Sequence, residues 1–300
     1  MVIKVIEDVT KVLPTTICEN ILNLANKEEI TEIRLRVDKF LKVYVGNKEK
    51  TLDKVITKDD LIRILNNISS NSIYSVQNDI NKGYITIEGG NRIGIAGEVV
   101  TIDDKIKNIK DISSMNIRVA REYIGVSNKI IEDIISDNEI KNTVIVSPPG
   151  LGKTTLLRDV IRNISQSGYN VSVIDERGEI AAMWQGSPTL NIGDRTDVIS
   201  FVDKATGMQM AVRSMAPNVV CTDEIGDKKD IEALKYLCKS GVKFVTTMHG
   251  HSLKDVISSE LKEIIQNGYL DNVIVLSNKS GIGSIDKIYT NLKSMEVVKC

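Results

Sequence analysis

Hydrophobic positions change their rhythm part-way along this chain. After Asn142, short apolar runs recur at Val144–Val146, Val171–Ile174, Val219–Thr222, Phe244–Thr247 and Val273–Leu276. Between them lie stretches with helical spacing, Thr155–Ser165, Asp230–Lys239 and Leu253–Gln266, with the third interval longer and less regular. Repeated βα units of this kind predict a mostly parallel sheet covered on both faces. Functional residues then gather beyond the carboxyl ends of the strands.

The first part of the chain reads differently. From Glu32 the residues alternate strictly, with Glu32, Arg34 and Arg36 on one face and Ile33, Leu35 and Val37 on the other, the signature of a half-buried strand. Leu41–Val45, Tyr84–Ile87 and Arg92–Val100 also read as strands, Leu61–Asn67 and Ile73–Ile80 as helices, and Gly89-Gly90-Asn91 as a hairpin turn. The expectation is an α+β domain over residues 1–126 followed by an α/β domain over 127–300. The boundary falls near Gly125–Asn128, before a helix at Ile130–Ile135, with no Pro/Gly-rich linker to mark it.

One loop carries the strongest chemical signal. Ser147-Pro148-Pro149-Gly150-Leu151-Gly152-Lys153-Thr154 follows the run Val144–Val146 and leads through Thr155 into a helical pattern. Strand, glycine-bearing turn and helix start are the setting of a P-loop, in which successive backbone N–H groups and a helix N-terminus converge on phosphate. Lys153 then reaches the β- and γ-phosphates, and the Thr154 hydroxyl goes to Mg²⁺. Ser147 stands where the motif has glycine, a departure that matters only if φ is positive there.

Three further groups stand at strand ends. Asp223 and Glu224 close Val219–Thr222; Asp223 is expected to hold Mg²⁺ through water and Glu224 to orient and deprotonate the attacking water, the alternative being a helix N-cap or a solvated turn. Asp175-Glu176 closes Val171–Ile174, and Glu176 rivals Glu224 as the base unless the pair merely caps the next turn. His249 closes the run after Phe244 and is placed to sense the γ-phosphate, unless it is an inert loop residue. Arginine-finger candidates are Arg118, Arg121, Arg195 and Arg213.

Composition narrows the function classes. Lys plus Arg number 39 against 40 Asp plus Glu, and three Phe, one Trp and eight Tyr leave few stacking platforms, which argues against a nucleic-acid partner. The four cysteines are widely spaced, without metal-ligand or redox spacing. No apolar run approaches the roughly 20 residues that span a bilayer, so the expected setting is cytoplasmic, with membrane contact only through partners.

Taken together, Asp175-Glu176-Arg177-Gly178-Glu179-Ile180, Gly193-Asp194-Arg195-Thr196-Asp197, Met210–Asn218 running into Asp223-Glu224-Ile225-Gly226-Asp227, and Thr246-Thr247-Met248-His249-Gly250-His251 closely resemble the stage III sporulation protein AA family of endospore-forming bacteria. Glu32–Arg36 and Gly90–Gly97 extend the resemblance over most of the chain. That family is itself similar to the type II and type IV secretion and pilus-assembly ATPases. The resemblance implies a RecA-like P-loop NTPase core forming a homo-oligomer, a hexameric ring. It implies ATP and Mg²⁺, a mother-cell location, and membrane-bound components of a sporulation channel complex as partners. Asp175-Glu176, Asp223-Glu224 and His249 match the acidic, Walker B and histidine boxes of secretion ATPases. Arg213 matches their arginine before Walker B, and Arg118 and Arg121 match by analogy the arginines of their amino-terminal domain. Gly226 departs, standing where many of them have arginine, whose contact must be absent or supplied elsewhere, with Arg195 as a candidate. Two other readings stay open, a RecA-like nucleic-acid motor or single-strand binder and a nucleotide-gated scaffold with little turnover.

Overall fold

Contacts divide the chain into two units, Val2–Glu122 with Ala182–Thr189, and Tyr123–Ala181 with Leu190–Cys300. The computed structural model describes residues 2–3, 6–46, 48–69, 83–102, 105–120, 122–184, 186–279, 283–290 and 292. Arg121 and the helix expected at Ile73–Ile80 lie outside the described residues.

The second unit is built on a seven-stranded sheet. Its order is Thr196–Ser200, Val171–Asp175, Val219–Thr222, Lys243–His249, Thr143–Ser147, Asn272–Ser277 and Ser284–Tyr289. All neighbours pair in parallel except the last two strands, which are antiparallel. The apolar runs in the sequence are therefore the central strands, and Val144, Ile145, Val146, Val173, Val245 and Ile274 are fully buried. Each such side chain contributes about 1.5–3 kcal/mol by leaving water.

A buried asparagine fixes the amino ends of three of these strands. Asn142 accepts a bond from Phe244 N (2.9 Å), donates to the Tyr269 carbonyl (2.7 Å), and offers its own N–H to Asp271 Oδ2 (2.8 Å). The helix Lys153–Gln166 is pinned to the start of its unit by a buried carboxylate. Asp159 accepts from the N–H groups of Gly125 and Ser127 and pairs with Arg162 at 2.8 Å.

Two expected helices are shorter than their periodicity suggests. The one at Ile130–Ile135 is a single turn, Ile131–Ile134. Ile135 instead pairs with Ile140 across a hairpin whose tip, Asp137 and Asn138, has φ of 55° and 57°, the left-handed pair that a tight hairpin turn requires. Leu253–Gln266 is two helices, Leu253–Ser258 and Lys262–Gln266. Ser259 breaks it: its hydroxyl donates to the Val256 carbonyl and accepts from Leu261 N–H, so a side chain takes bonds that backbone groups would otherwise make.

The first unit is a six-stranded antiparallel sheet, ordered Lys48–Val55, Phe40–Val45, Ile30–Arg36, Lys105–Arg118, Asn91–Ile102 and Tyr84–Ile87. Ile33, Ile117, Ile93 and Ile85 align across four of these strands and are fully buried. They pack in one core with Val9, Ile17 and Ile21 from the helices Ile6–Val12 and Thr15–Leu22, and Leu61 and Ile64 from Lys58–Ile68. The alternation in Glu32–Val37 is the pleat of a strand with one face on this core.

Candidate functional site

The polar groups singled out at strand ends converge because three of their strands are adjacent. Lys243–His249 lies between Thr143–Ser147 and Val219–Thr222, with His249 level with Ser147. Ser147 is fully buried and absent from the positive-φ residues, while Gly150 and Gly152 have φ of 76° and 83°. Glycine is thus present where the backbone is left-handed and dispensable at Ser147. The helix Lys153–Gln166 starts at Gly152 with no side chain capping it, so its first N–H groups and its dipole face outward toward any anion.

Lys153 is 5% exposed. Its ammonium donates to the carbonyls of Ser147 (3.0 Å) and Pro148 (3.1 Å) and meets His249 Nδ1 at 3.1 Å. These three partners match its three N–H donors. Burial pulls the lysine below its ordinary pKa, against the attraction of Glu224. On the far side of the imidazole, His249 Nε2 lies 3.1 Å from Glu224 Oε1. With Nδ1 accepting from an ammonium, the ring proton belongs on Nε2, where it donates to Glu224. A lysine, a histidine and a glutamate therefore form one hydrogen-bonded run across the sheet.

Glu224 is held in an unusual conformation. Its φ is 44°, a region costly for a side chain of this size. Two bonds to the neighbouring strand hold it there, Glu224 N–H to Thr247 Oγ1 (2.8 Å) and Ile225 N–H to the Thr247 carbonyl (2.9 Å). Arg177 NH1 binds Oε2 at 2.9 Å. The carboxylate is thereby fixed from both sides. Beside it, Asp223 is 3% exposed. Burial, and next the Asp175 carboxylate, push its carboxyl up to about 6, while Lys204 pulls the other way.

The second acidic pair separates into two roles. Asp175 is fully buried and accepts N–H bonds from Glu179 (2.8 Å), Ile180 (3.1 Å) and Ala181 (2.9 Å). It is the cap of the following turn. Arg158 of the helix Lys153–Gln166 bonds the carbonyls of Glu179 and Ile180, each at 2.7 Å, tying that turn to the loop helix. Glu176 instead pairs with Lys204 at 2.6 Å. Burial lowers the Lys204 pKa, but Glu176, Asp230 and Asp223 outweigh it and leave it raised.

Lys204 and Arg177 escape sequence reasoning as site residues. Lys204 opens the helix Lys204–Ser214 behind its cap Asp203, and nothing in its context separates it from a solvated lysine. Arg177 sits inside the motif Asp175–Ile180 but gives no sign of its target. The arginines are not gathered here. Arg195 precedes the edge strand, its carbonyl bonded to Val171 N–H, and Arg213 ends the helix Lys204–Ser214 just before Asn218 bonds Asn170. Both stand at the amino ends of the strands, opposite the Lys153–Glu224 run in the same chain. The guanidinium at Glu224 is that of Arg177. At Gly226 an added Cβ would meet nothing within 4 Å, so the departure from arginine there is not steric. Arg118 is exposed on the sheet of the first unit.

Comparison with known proteins places the chain. The family described as sporulation stage III, protein AA matches residues 4–296. The stage III sporulation protein AA of Bacillus subtilis (strain 168) is 34% identical over 290 residues, 94% of each chain. Among solved structures, the ATPase DotB of Legionella pneumophila superposes with a TM-score of 0.56 at 16% identity, over 88% of this chain and 77% of that one. The pilus retraction motor PilT, solved with bound ADP, gives 0.59 at 15% identity, over 87% and 77%. At such identities the likeness is one of fold, a mixed α/β architecture with a largely parallel sheet, as expected for the secretion-ATPase type. No helix among the described residues is long and apolar enough to cross a membrane.

Proposed function

We propose, on the premise that the chain belongs to the sporulation stage III protein AA family, that it is an ATP-hydrolysing ring motor that energises a membrane complex during endospore formation. The observation that carries this reading is the run from Lys153 through His249 to Glu224 beside an uncapped helix N-terminus. Lys153 neutralises phosphate charge by exchanging the Ser147 and Pro148 carbonyls for phosphate oxygens, and its bond to His249 links that exchange to Glu224. Glu224, fixed by Arg177 and His249, accepts a proton from the attacking water. Glu176, engaged by Lys204, is the weaker candidate for that task.

The donor set fits a magnesium nucleotide. Thr154 and Asp223 would hold Mg²⁺, Asp223 through water, and the ion would supply charge neutralisation for the phosphates. A buried carboxylate whose pKa is raised gains from a cation beside it. The ATPase and motor descriptions of DotB and PilT support the same reading. Arg195 and Arg213, at the wrong end of the sheet for their own site, act as fingers only from a neighbouring subunit, and Arg118 is the third such candidate. The assembly is a hexameric ring in the mother-cell cytoplasm, reaching the membrane through its partners.

The test is the hydrolysis rate per subunit across protein concentration, with mass measured by light scattering with and without ATP. A rate that climbs as subunits assemble supports a shared site. A flat rate on monomers contradicts it, binding without turnover favours a nucleotide-gated scaffold, and stimulation by single-stranded DNA favours a nucleic-acid motor.

A further inference from the structure

Beside Arg118, the outer face of the six-stranded sheet carries groups that the proposed hydrolysis does not use. Across the strands Ile30–Arg36, Lys105–Arg118 and Asn91–Ile102, Arg34 is level with Asn116 and Gly94, and Arg36 with Ser114 and Ala96. Small residues in the middle rows leave a trough of about 190 Å³, lined by both arginines and by Asn116. On its flank Arg92 stacks over the Tyr84 ring at 5.3 Å. Arg34 is oriented by Glu32 through Nε, one of five guanidinium donors, and lies over the Tyr44 ring at 5.8 Å. Asn116 lines the trough, and its Oδ1 is buried with no hydrogen-bond partner, an acceptor left unsatisfied.

We propose that this trough docks an extended acidic segment of a partner protein, with carboxylates two residues apart on Arg34 and Arg36 and a backbone N–H on Asn116. The spacing carries the assignment. Residues two apart on a strand stand about 6.6 Å apart on one face, the same repeat as alternate side chains of an extended peptide. A peptide brings carboxylates and N–H donors together, whereas a small anion brings acceptors only and leaves Asn116 unpaired. The cavity is below the roughly 300–1,000 Å³ that encloses drug-sized ligands, too small to enclose a nucleotide.

The test uses the full chain and a fluorescent, end-blocked hexapeptide of alternating Glu and Val, compared with an isomer carrying Glu at its first, second and sixth positions. Anisotropy at low salt is expected to give a Kd on the order of 10–100 µM for the alternating peptide and about tenfold weaker binding for the isomer. Arg36→Gln and Gly94→Val should each weaken the alternating peptide about tenfold. A Cβ at Gly94 would meet nothing closer than 3.7 Å, so a side chain can be started there without a Cβ clash, and exposed Arg36 tests the same site should that variant misfold. Equal affinity of wild type and Arg36→Gln, equal affinity for the two isomers, or no binding at about 1 mM would overturn the proposal. So would displacement by inorganic phosphate beyond that of chloride at matched ionic strength, which would mark a small-anion site.

Discussion

Two neighbouring strands of the parallel sheet end in the same dipeptide, Asp-Glu, and the two ends have opposite fates. At the first, Asp175 commits its oxygens to three backbone N–H groups and Glu176 pairs with Lys204. At the second, Asp223 is nearly as buried yet has its pKa pushed up to about 6, and Glu224 is held at positive φ between Arg177 and His249. A carboxylate bound by backbone donors builds a turn. Where no backbone donors claim them, Asp223 keeps a raised pKa and Glu224 an imposed conformation, and the pair is available for chemistry.

Four substitutions sharpen that contrast. The largest effect is expected at the lysine that serves the second end. Lys153→Ala removes the ammonium that reaches both the loop and His249, and kcat/KM for ATP should fall about 10³-fold, roughly 4 kcal/mol, in a steady-state phosphate-release assay.

Stability divides the two aspartates next. Asp175→Ala leaves three N–H groups without their acceptor, and urea unfolding should show a loss of about 3 kcal/mol. Asp223→Asn should act in the reverse sense. Its folded pKa of about 6 lies above the ordinary 3.8. The folded protein thus gains stability from protonation that is fully present below about 3.8 and lost as pH rises through about 6. Free of divalent cation at pH 7.5, the variant should be more stable than wild type by about 2 kcal/mol, with the difference vanishing near pH 4. A gain that persists at low pH would place the effect elsewhere than in ionisation. The smallest change is expected at the loop: Ser147→Gly should leave nucleotide affinity within about twofold, since φ there is not positive.

Much of this was legible in the sequence, for identifiable reasons. The βα rhythm follows from strands buried on both faces, and the convergence of Lys153, Glu224 and His249 follows from strand ends that share one edge of the sheet. Alternation puts Arg34 and Arg36 on the face opposite buried Ile33 and Leu35, where they stand. What escaped lacked a period or a local sign. The strand Lys105–Arg118 is exposed at 106–108 and mixes charges on both faces. Ser259 breaks a helix whose apolar spacing continues past it. The two acidic ends were indistinguishable because backbone N–H groups, which decide the fate of Asp175, leave no mark in side-chain identity. Lys204 and Arg177 act over 28 and 47 residues of separation, distances that only the folded sheet closes.

The central claim is that the Glu224 end performs the chemistry and the Glu176 end supports it. Single-turnover ATP hydrolysis at saturating nucleotide, compared among wild type, Glu224→Gln and Glu176→Gln, tests it most directly. Glu224→Gln is predicted to lose at least about 100-fold in rate with nucleotide affinity within about threefold, while Glu176→Gln loses no more than about tenfold. Undiminished hydrolysis by Glu224→Gln, or an equal collapse in Glu176→Gln, would contradict the account.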